Sequence, residues 1–459
     1  MNRCFPLLAF ALLTLISGAS ASALTSLQAA PPLSPLPPLP IQAWQTAQGA
    51  RVLFMPSRHL PMFDLQVTFA AGSGRNTSAF GLAGLTLSML DEGTRSHAAE
   101  QIAEAFDASA ARFDKTLDRE RATLTLRSLS RQAPREAAVA QFVELLGEPT
   151  FPPDRLALVQ DQFFNRLQAL ATSDKYRASE QLYHHLYAGH PFAAPLHGTV
   201  EHLAGLDVAD LSDFYQRHFS ASNALIVLVG DLSDAQARQI AERVSNALPQ
   251  GPAQSAMALP TRQDAEIYQL DGLGNQAHLL FGLPAVAADD PDLPALTVAN
   301  LILGGNVSSR LIEQVRNRHG LSYDPYSELT SHSTSGLWTL QANVEARYQQ
   351  ATMELIHNLL ETFANEGPTE QEFDDARQYL RGTLLLNAVS NEDIARHLRD
   401  IGFNHLPLDQ RGHLLEAVQK LTLDQLKVVL KKHLVLDRLV QVGVGPTVAQ
   451  EPLPSPGGE

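Results

Sequence analysis

Apolar positions early in the chain follow the short period of strands. Val52-Leu53-Phe54 and Asp64 to Ala71 read as strands, and Ala122 to Ser128 (ATLTLRS) alternates polar with apolar residues, as a half-buried strand does. The period then lengthens, predicting helices over 136–147, 153–172 and 233–248, with an apolar strand at Ala224 to Gly230 before the last of them. The second half runs through the same vocabulary. Strands are expected at Ala277 to Leu283, Gly336 to Val344 and Leu439 to Gly445, with helices near 348–365 and 369–388. Thr369 to Glu372 forms a capping box directly after Gly367-Pro368, which marks a helix start. This mixture predicts an α+β fold in which antiparallel sheets are packed with helices.

The halves also match in detail. Leu206-Asp207-Val208-Ala209-Asp210-Leu211 leads through Arg217-His218 into Ala224 to Gly230, and Leu421-Thr422-Leu423-Asp424-Gln425-Leu426 leads through Lys432-His433 into Leu439 to Gly445. The offset is a constant 215 residues, from Asp207 to Thr422 and from Leu211 to Leu426. Each segment opens on an N-cap residue, carries a partner three positions on, and brackets both with two leucines placed as a hydrophobic staple. A duplication producing two related domains is the expectation. Pro249 to Pro260 (PQGPAQSAMALP) breaks the pattern between them. The boundaries are therefore 42–248 and 263–446, joined by a linker at 249–262.

The ends differ from this body. Arg3, the apolar Phe5 to Ile16 and Ala21-Ser22-Ala23 compose a signal peptide cut after Ala23, implying a periplasmic or secreted protein. Residues 24–41 form a proline-rich extended leader, and 447–459 read as an unstructured tail. The only cysteine, Cys4, lies in the removed segment, so the mature chain has neither disulfides nor thiolate chemistry. No later apolar run is long enough for a membrane span. A net charge of -15 argues against non-specific nucleic-acid binding.

Candidate chemistry begins at Ala71-Gly72-Ser73 and Gly81-Leu82-Ala83-Gly84-Leu85-Thr86-Leu87-Ser88-Met89-Leu90-Asp91-Glu92-Gly93-Thr94. This stretch resembles the opening of the pitrilysin/insulinase metallopeptidases, the inverzincins, and especially their mitochondrial-processing-peptidase-like branch. There, Gly-Leu-Ala precedes H-x-x-E-H, in which two histidines one helical turn apart hold zinc and the glutamate activates its water. Against that frame, Gly84 and Ser88 stand where the histidines belong and Leu87 where the glutamate belongs. A later helix supplies the third ligand in the family. Gap-free spacing puts that position at Arg166, with Asp161 the nearby carboxylate, and a cation there would repel a metal. The resemblance thus implies a chain that binds no zinc itself.

The likeness continues through Leu186-Tyr187-Ala188-Gly189-His190-Pro191-Phe192, Gly198-Thr199 and Glu201-His202-Leu203. It resumes in Leu303-Gly304-Gly305, Ser309-Arg310-Leu311, Val315-Arg316 and Gly320-Leu321-Ser322-Tyr323. In the family, the arginine and tyrosine of that last block assist from the domain facing the zinc, where cationic and phenolic donors stabilise developing carbonyl charge. By position these are Arg316 and Tyr323. The residues alone allow another role, with Arg316 paired to Glu313 or Asp324 and Tyr323 capping a strand; Arg318 and Tyr326 compete for the same task. The resemblance implies two facing domains in a clamshell and a catalytically incomplete subunit. Such a subunit would pair with an H-x-x-E-H homologue that carries the zinc, and would help hydrolyse unfolded peptides. The alternative is a non-proteolytic peptide-binding or scaffolding protein of the cell envelope.

Other readings of the residues are weaker. His184, His185, His190, His197 and His202 crowd one region, but His197 and His202 stand about 140° apart around a helix, and no zinc spacing occurs. Ser88 sits in no nucleophile elbow, and there is no P-loop or dinucleotide fingerprint. The sequons Asn76-Thr77-Ser78 and Asn306-Val307-Ser308 are too short to carry weight.

Overall fold

The computed structural model describes residues 38–76, 79–386 and 390–456. The segment expected to be a signal peptide, nearly all of the expected leader, Thr77 and Ser78 of the first sequon, the end of the helix expected near 369–388 and the last three residues lie outside them. Among the described residues, eleven strands form two sheets: β1 (Gln42–Gln45), β2 (Arg51–Pro56), β3 (Met62–Phe69), β4 (Arg112–Leu117), β5 (Ala122–Leu129) and β6 (Ala224–Gly230) in the first, and β7 (Glu266–Asp271), β8 (Gln276–Ala285), β9 (Tyr326–Ser331), β10 (Gly336–Glu345) and β11 (Val440–Gly445) in the second. Their orders are β1-β2-β6-β3-β5-β4 and β7-β11-β8-β10-β9. Without β1, the orders correspond strand for strand. Each sheet is antiparallel except for one parallel pair, β2 with β6 and β7 with β11, because the last strand of each half returns beside the first.

The duplicated caps form as their residues demand. Asp207 accepts from the amides of Ala209 (2.8 Å) and Asp210 (3.1 Å), while Asp210 returns a bond to the Asp207 amide (3.0 Å). Thr422 and Gln425 repeat the exchange at 3.2 and 2.9 Å. Each box satisfies amides that the first helical turn leaves without partners.

Packing joins the halves more closely than their sequence boundary implies. The Asp174–Leu186 helix belongs to the first half, yet it lies on β8 and β11, where Ala178, Leu182 and Leu186 pack with Leu280, Val440, Val442 and Val444. Its repeat counterpart, Asn391–Phe403, lies on the first sheet, with Ile394, Ala395, Leu398 and Ile401 against Leu53, Leu225, Val227 and Val229. Serines cap both, Ser173 accepting from the Tyr176 amide and Ser390 from the Asp393 amide. The two halves therefore exchange equivalent helices.

Equivalent hairpin tips also meet. Glu120, in the β4–β5 turn, accepts from the Ser333 amide (3.1 Å) and the Ser333 hydroxyl and faces His332 Nδ1 (3.3 Å) in the β9–β10 turn. Burial alone pushes the Glu120 carboxyl upward, but the His332 and Ser333 contacts outweigh it and hold it below the ordinary carboxylate range. Residues 447–456 form no helix or strand, yet they are tied down: the Glu451 amide donates to Arg347 O (2.8 Å), and His319 Nδ1 lies 3.0 Å from Pro454 O.

Candidate functional site

The Leu82–Met89 helix carries the motif positions. It starts at Gly81, whose φ of +99° suits glycine and whose missing Cβ leaves room for Leu203 Cδ2, 2.6 Å from where a Cβ would sit. Asn76 Oδ1 accepts from the Ala83 amide at 3.0 Å, occupying a first-turn donor. Gly84, Leu87 and Ser88 then fall on one side, facing β4 and the Pro153–Ala171 helix.

That side is packed with apolar groups. A Cβ on Gly84 would lie 3.4 Å from both Phe163 Cε1 and Leu117 Cδ2. Leu87 is buried in the first-half core at 4 % exposure, and Phe163 joins the same core. Beside Ser88, the Lys115 ammonium donates to the Ser88 carbonyl (2.9 Å) and pairs with Asp91. Arg166, one turn beyond Phe163, is exposed, and its charge helps to hold the imidazole of His197 neutral. Gly84, Leu87 and Ser88 thus share one side of the helix, Arg166 lies exposed toward His197, and Phe163 and Leu117, which sequence reasoning did not single out, pack against Gly84. Zinc does not fit here. The donor set offers no imidazole and no facing carboxylate, and a lysine cation stands beside it. Among the described residues no group of three or more His, Cys, Asp or Glu converges to hold a metal.

The crowded histidines have other partners. His185 meets the Tyr268 hydroxyl (2.8 Å) and Asp264 O (2.9 Å), His190 meets Ala258 O (2.9 Å), and His202 Nδ1 meets the Thr199 hydroxyl (2.8 Å). His197 stacks near Tyr176; burial first, then Arg166 and Arg119, lowers its pKa to about 4.

In the second half, Ile312–Arg318 is a π-helical stretch, a wide turn often found at functional positions. Gly320, at φ +61°, reverses the chain, with its amide donating to Arg316 O (3.0 Å) and the Leu321 amide to Val315 O (2.8 Å). The reversal brings Tyr323 back beside Arg316, whose guanidinium lies 4.6 Å from the ring centroid. Tyr323 is 81 % exposed. The competing acid is occupied, since Glu313 binds Arg318 (3.1 Å) and Asn317 (2.9 Å), so Arg318 and not Arg316 is the ion-paired residue. No hydrogen bond, ion pair or ring contact among the described residues joins Arg316 or Tyr323 to the Gly84 region.

Family models match residues 58–200 to "Insulinase (Peptidase family M16)" and 205–380 to "Peptidase M16 inactive domain". A crystal structure of a peptidase M16 inactive domain from Pseudomonas fluorescens is 37% identical, with a TM-score of 0.87 over 91% of this chain and 100% of the other. The chain belongs to peptidase family M16. Its two sheets with their helices form the two-domain clamshell of that family. Among M16 relatives, a protein of Helicobacter pylori named "Non-peptidase homolog YmxG" is 29% identical over 392 residues, 83% of this chain and 88% of the relative. The periplasmic protease PqqL of Escherichia coli shares the fold at 17% identity and a TM-score of 0.75, over 91% of this chain and 48% of PqqL. The M16 fold is present here, on a motif helix that offers no imidazole or carboxylate at Gly84, Leu87 or Ser88.

Proposed function

We propose that this chain is a non-catalytic subunit of an exported zinc metalloendopeptidase. A homologous subunit bearing H-x-x-E-H supplies the zinc, and an unfolded peptide occupies the space between the subunits. One observation carries the reading: the helix side where the metal would bind is walled by Phe163 and Leu117, while Arg316 and Tyr323 stand paired and exposed, with no ion-paired carboxylate among the described residues. In that role both residues act on the partner's substrate, aiming a cation and a phenol at the oxyanion that forms during hydrolysis. The outer side of β4 supports peptide capture, because this strand pairs only with β5 and leaves backbone groups for an added strand. The signal segment puts the complex in the periplasm or outside the cell, and no helix among the described residues is long and apolar enough to cross a membrane. A fold shared with a periplasmic protease agrees with that placement.

A second reading is favoured by the relative named a non-peptidase homologue: a peptide-binding or scaffolding protein of the cell envelope, with no proteolysis. An assay of unstructured peptides with the chain alone, and with the M16 homologue encoded nearest to it, separates the two. Cleavage only in the mixture, weakened by Arg316→Ala or Tyr323→Phe, supports the subunit. A stable complex whose activity ignores both substitutions supports the scaffold.

A further inference from the structure

A cavity of about 480 Å³ lies at the junction of the halves, away from both the motif helix and the Arg316 block. Its walls come from the end of the Asp174–Leu186 helix, the linker, the end of β8, the β9–β10 turn and the segment following the Leu423–His433 helix. Much of the lining is apolar, including Val286 and Leu337, and Leu259 stands on it with 74 % of its surface exposed. The volume suits a ligand the size of one or a few residues.

The polar groups in the lining are unevenly satisfied. His433 is bound to Asp292 (2.9 Å), and Asp290 Oδ1 accepts from the Asp292 amide (2.8 Å). Arg262 and Arg438 have no ion-pair partner among the described residues, and Arg438 Nε and Thr334 Oγ1 are buried without a hydrogen-bond partner. A buried donor without an acceptor is destabilising unless water or a ligand supplies one. Two free guanidiniums against one engaged carboxylate leave the cavity short of negative charge, and a guanidinium matches a carboxylate in bidentate fashion.

We infer that this cavity binds the C-terminal residue of a peptide, its carboxylate on Arg438 and Arg262 and an apolar side chain between Leu259, Val286 and Leu337. The site needs no catalytic partner, so its test is independent of the subunit reading. The mature chain is titrated calorimetrically with an N-acetylated Ala-Leu-Leu peptide as free acid, with its C-terminal amide, and with octanoate. The free acid should bind at least tenfold more tightly than either. Arg438→Met should weaken it at least tenfold, Arg438→Lys less, and Leu259→Asp should weaken the acid while leaving thermal unfolding unchanged. Should Arg438→Met fail to fold, Arg262→Met and the acid–amide pair decide. Equal binding of acid and amide, absence of binding, or unchanged affinity in the variants overturns the proposal. Octanoate binding as tightly as the peptide overturns the peptide assignment.

Discussion

Installing the family's zinc residues at the motif positions tests whether the fold can accept them. In a chain carrying Gly84→His, Leu87→Glu, Ser88→His and Arg166→Glu, the first imidazole must enter space already touched at 3.4 Å by Phe163 and Leu117. Overpacking of that kind costs about 1–3 kcal/mol. Leu87 is 4 % exposed, so the glutamate forfeits about 2 kcal/mol of apolar burial and adds a desolvated carboxyl, which takes up a proton before it accepts the full cost of charge. The sum, roughly 4–8 kcal/mol, is comparable with the whole stability of many domains. Thermal unfolding should therefore fall by roughly 10 °C or more, and metal analysis after gel filtration should find far less than one zinc per chain. Adding Phe163→Ala should recover part of the loss by vacating the contested space. A quadruple variant that unfolds with the parent and retains one zinc per chain would refute the claim that packing, and not only ligand chemistry, has closed the site.

Other consequences can be measured directly. A Cβ on Gly282 would lie 2.6 Å from Leu182 Cδ1, so Gly282→Val should cost about 1–3 kcal/mol in urea unfolding and loosen the exchanged helix in hydrogen exchange; unchanged protection of 174–186 would contradict it. The segments 38–248 and 263–459 expressed separately should each be poorly soluble, since each lacks the helix that covers its sheet, and should recover on co-expression. If the mixture with an H-x-x-E-H homologue cleaves peptides and the guanidinium meets the oxyanion, Arg316→Ala should lower kcat by roughly 10²–10³; an unchanged kcat with raised KM would assign it to binding. His197 and His218 have pKa values lowered by burial to about 4, so the native imidazoles stay neutral where the unfolded ones take up protons. Their contribution is full above about pH 6.5 and is lost as the pH falls towards 4. Allowing for partial exposure, each accounts for about 1–2 kcal/mol, which His197→Gln should remove from the pH dependence of Tm.

Strong local signals were legible. Strands β3, β5, β6, β8, β10 and β11 and the long helices announced themselves by period, and the two capping boxes by residue type at a fixed offset. The edge strands β1, β4, β7 and β9 did not, because an edge strand exposes one side to solvent and its apolar positions thin out; β4 (RFDKTL) keeps Phe113 and Leu117 but interrupts them with Lys115. The absence of imidazole and carboxylate at Gly84, Leu87 and Ser88 could be read from the sequence alone. What packs beside those positions could not, since Phe163 and Leu117 reach the motif helix only through tertiary packing. Nor did any local pattern distinguish Arg316 from Arg318 until Gly320 turned the chain and Glu313 took the second arginine.

The exchanged helices give the duplication a physical purpose. A mixed sheet with one strongly apolar face still needs cover on the other, and β6 and β11 are buried along their whole length. Each half supplies that cover to its twin: Gly282 lets Leu182 settle onto β8, and Gly402 lets its helix settle onto Leu225 and Leu53. Ion pairs reinforce the seam on the first sheet, where Arg121 reaches Asp400 (2.8 Å) and Arg127, already on the buried Asp64 (2.7 Å), reaches Glu392 (3.4 Å). Stability that depends on two-way cover survives the loss of chemistry at one site, because none of these contacts passes through the positions that zinc ligands would occupy. A chain built this way can therefore do without a metal at the motif helix and still present Arg316 and Tyr323 on an intact second domain.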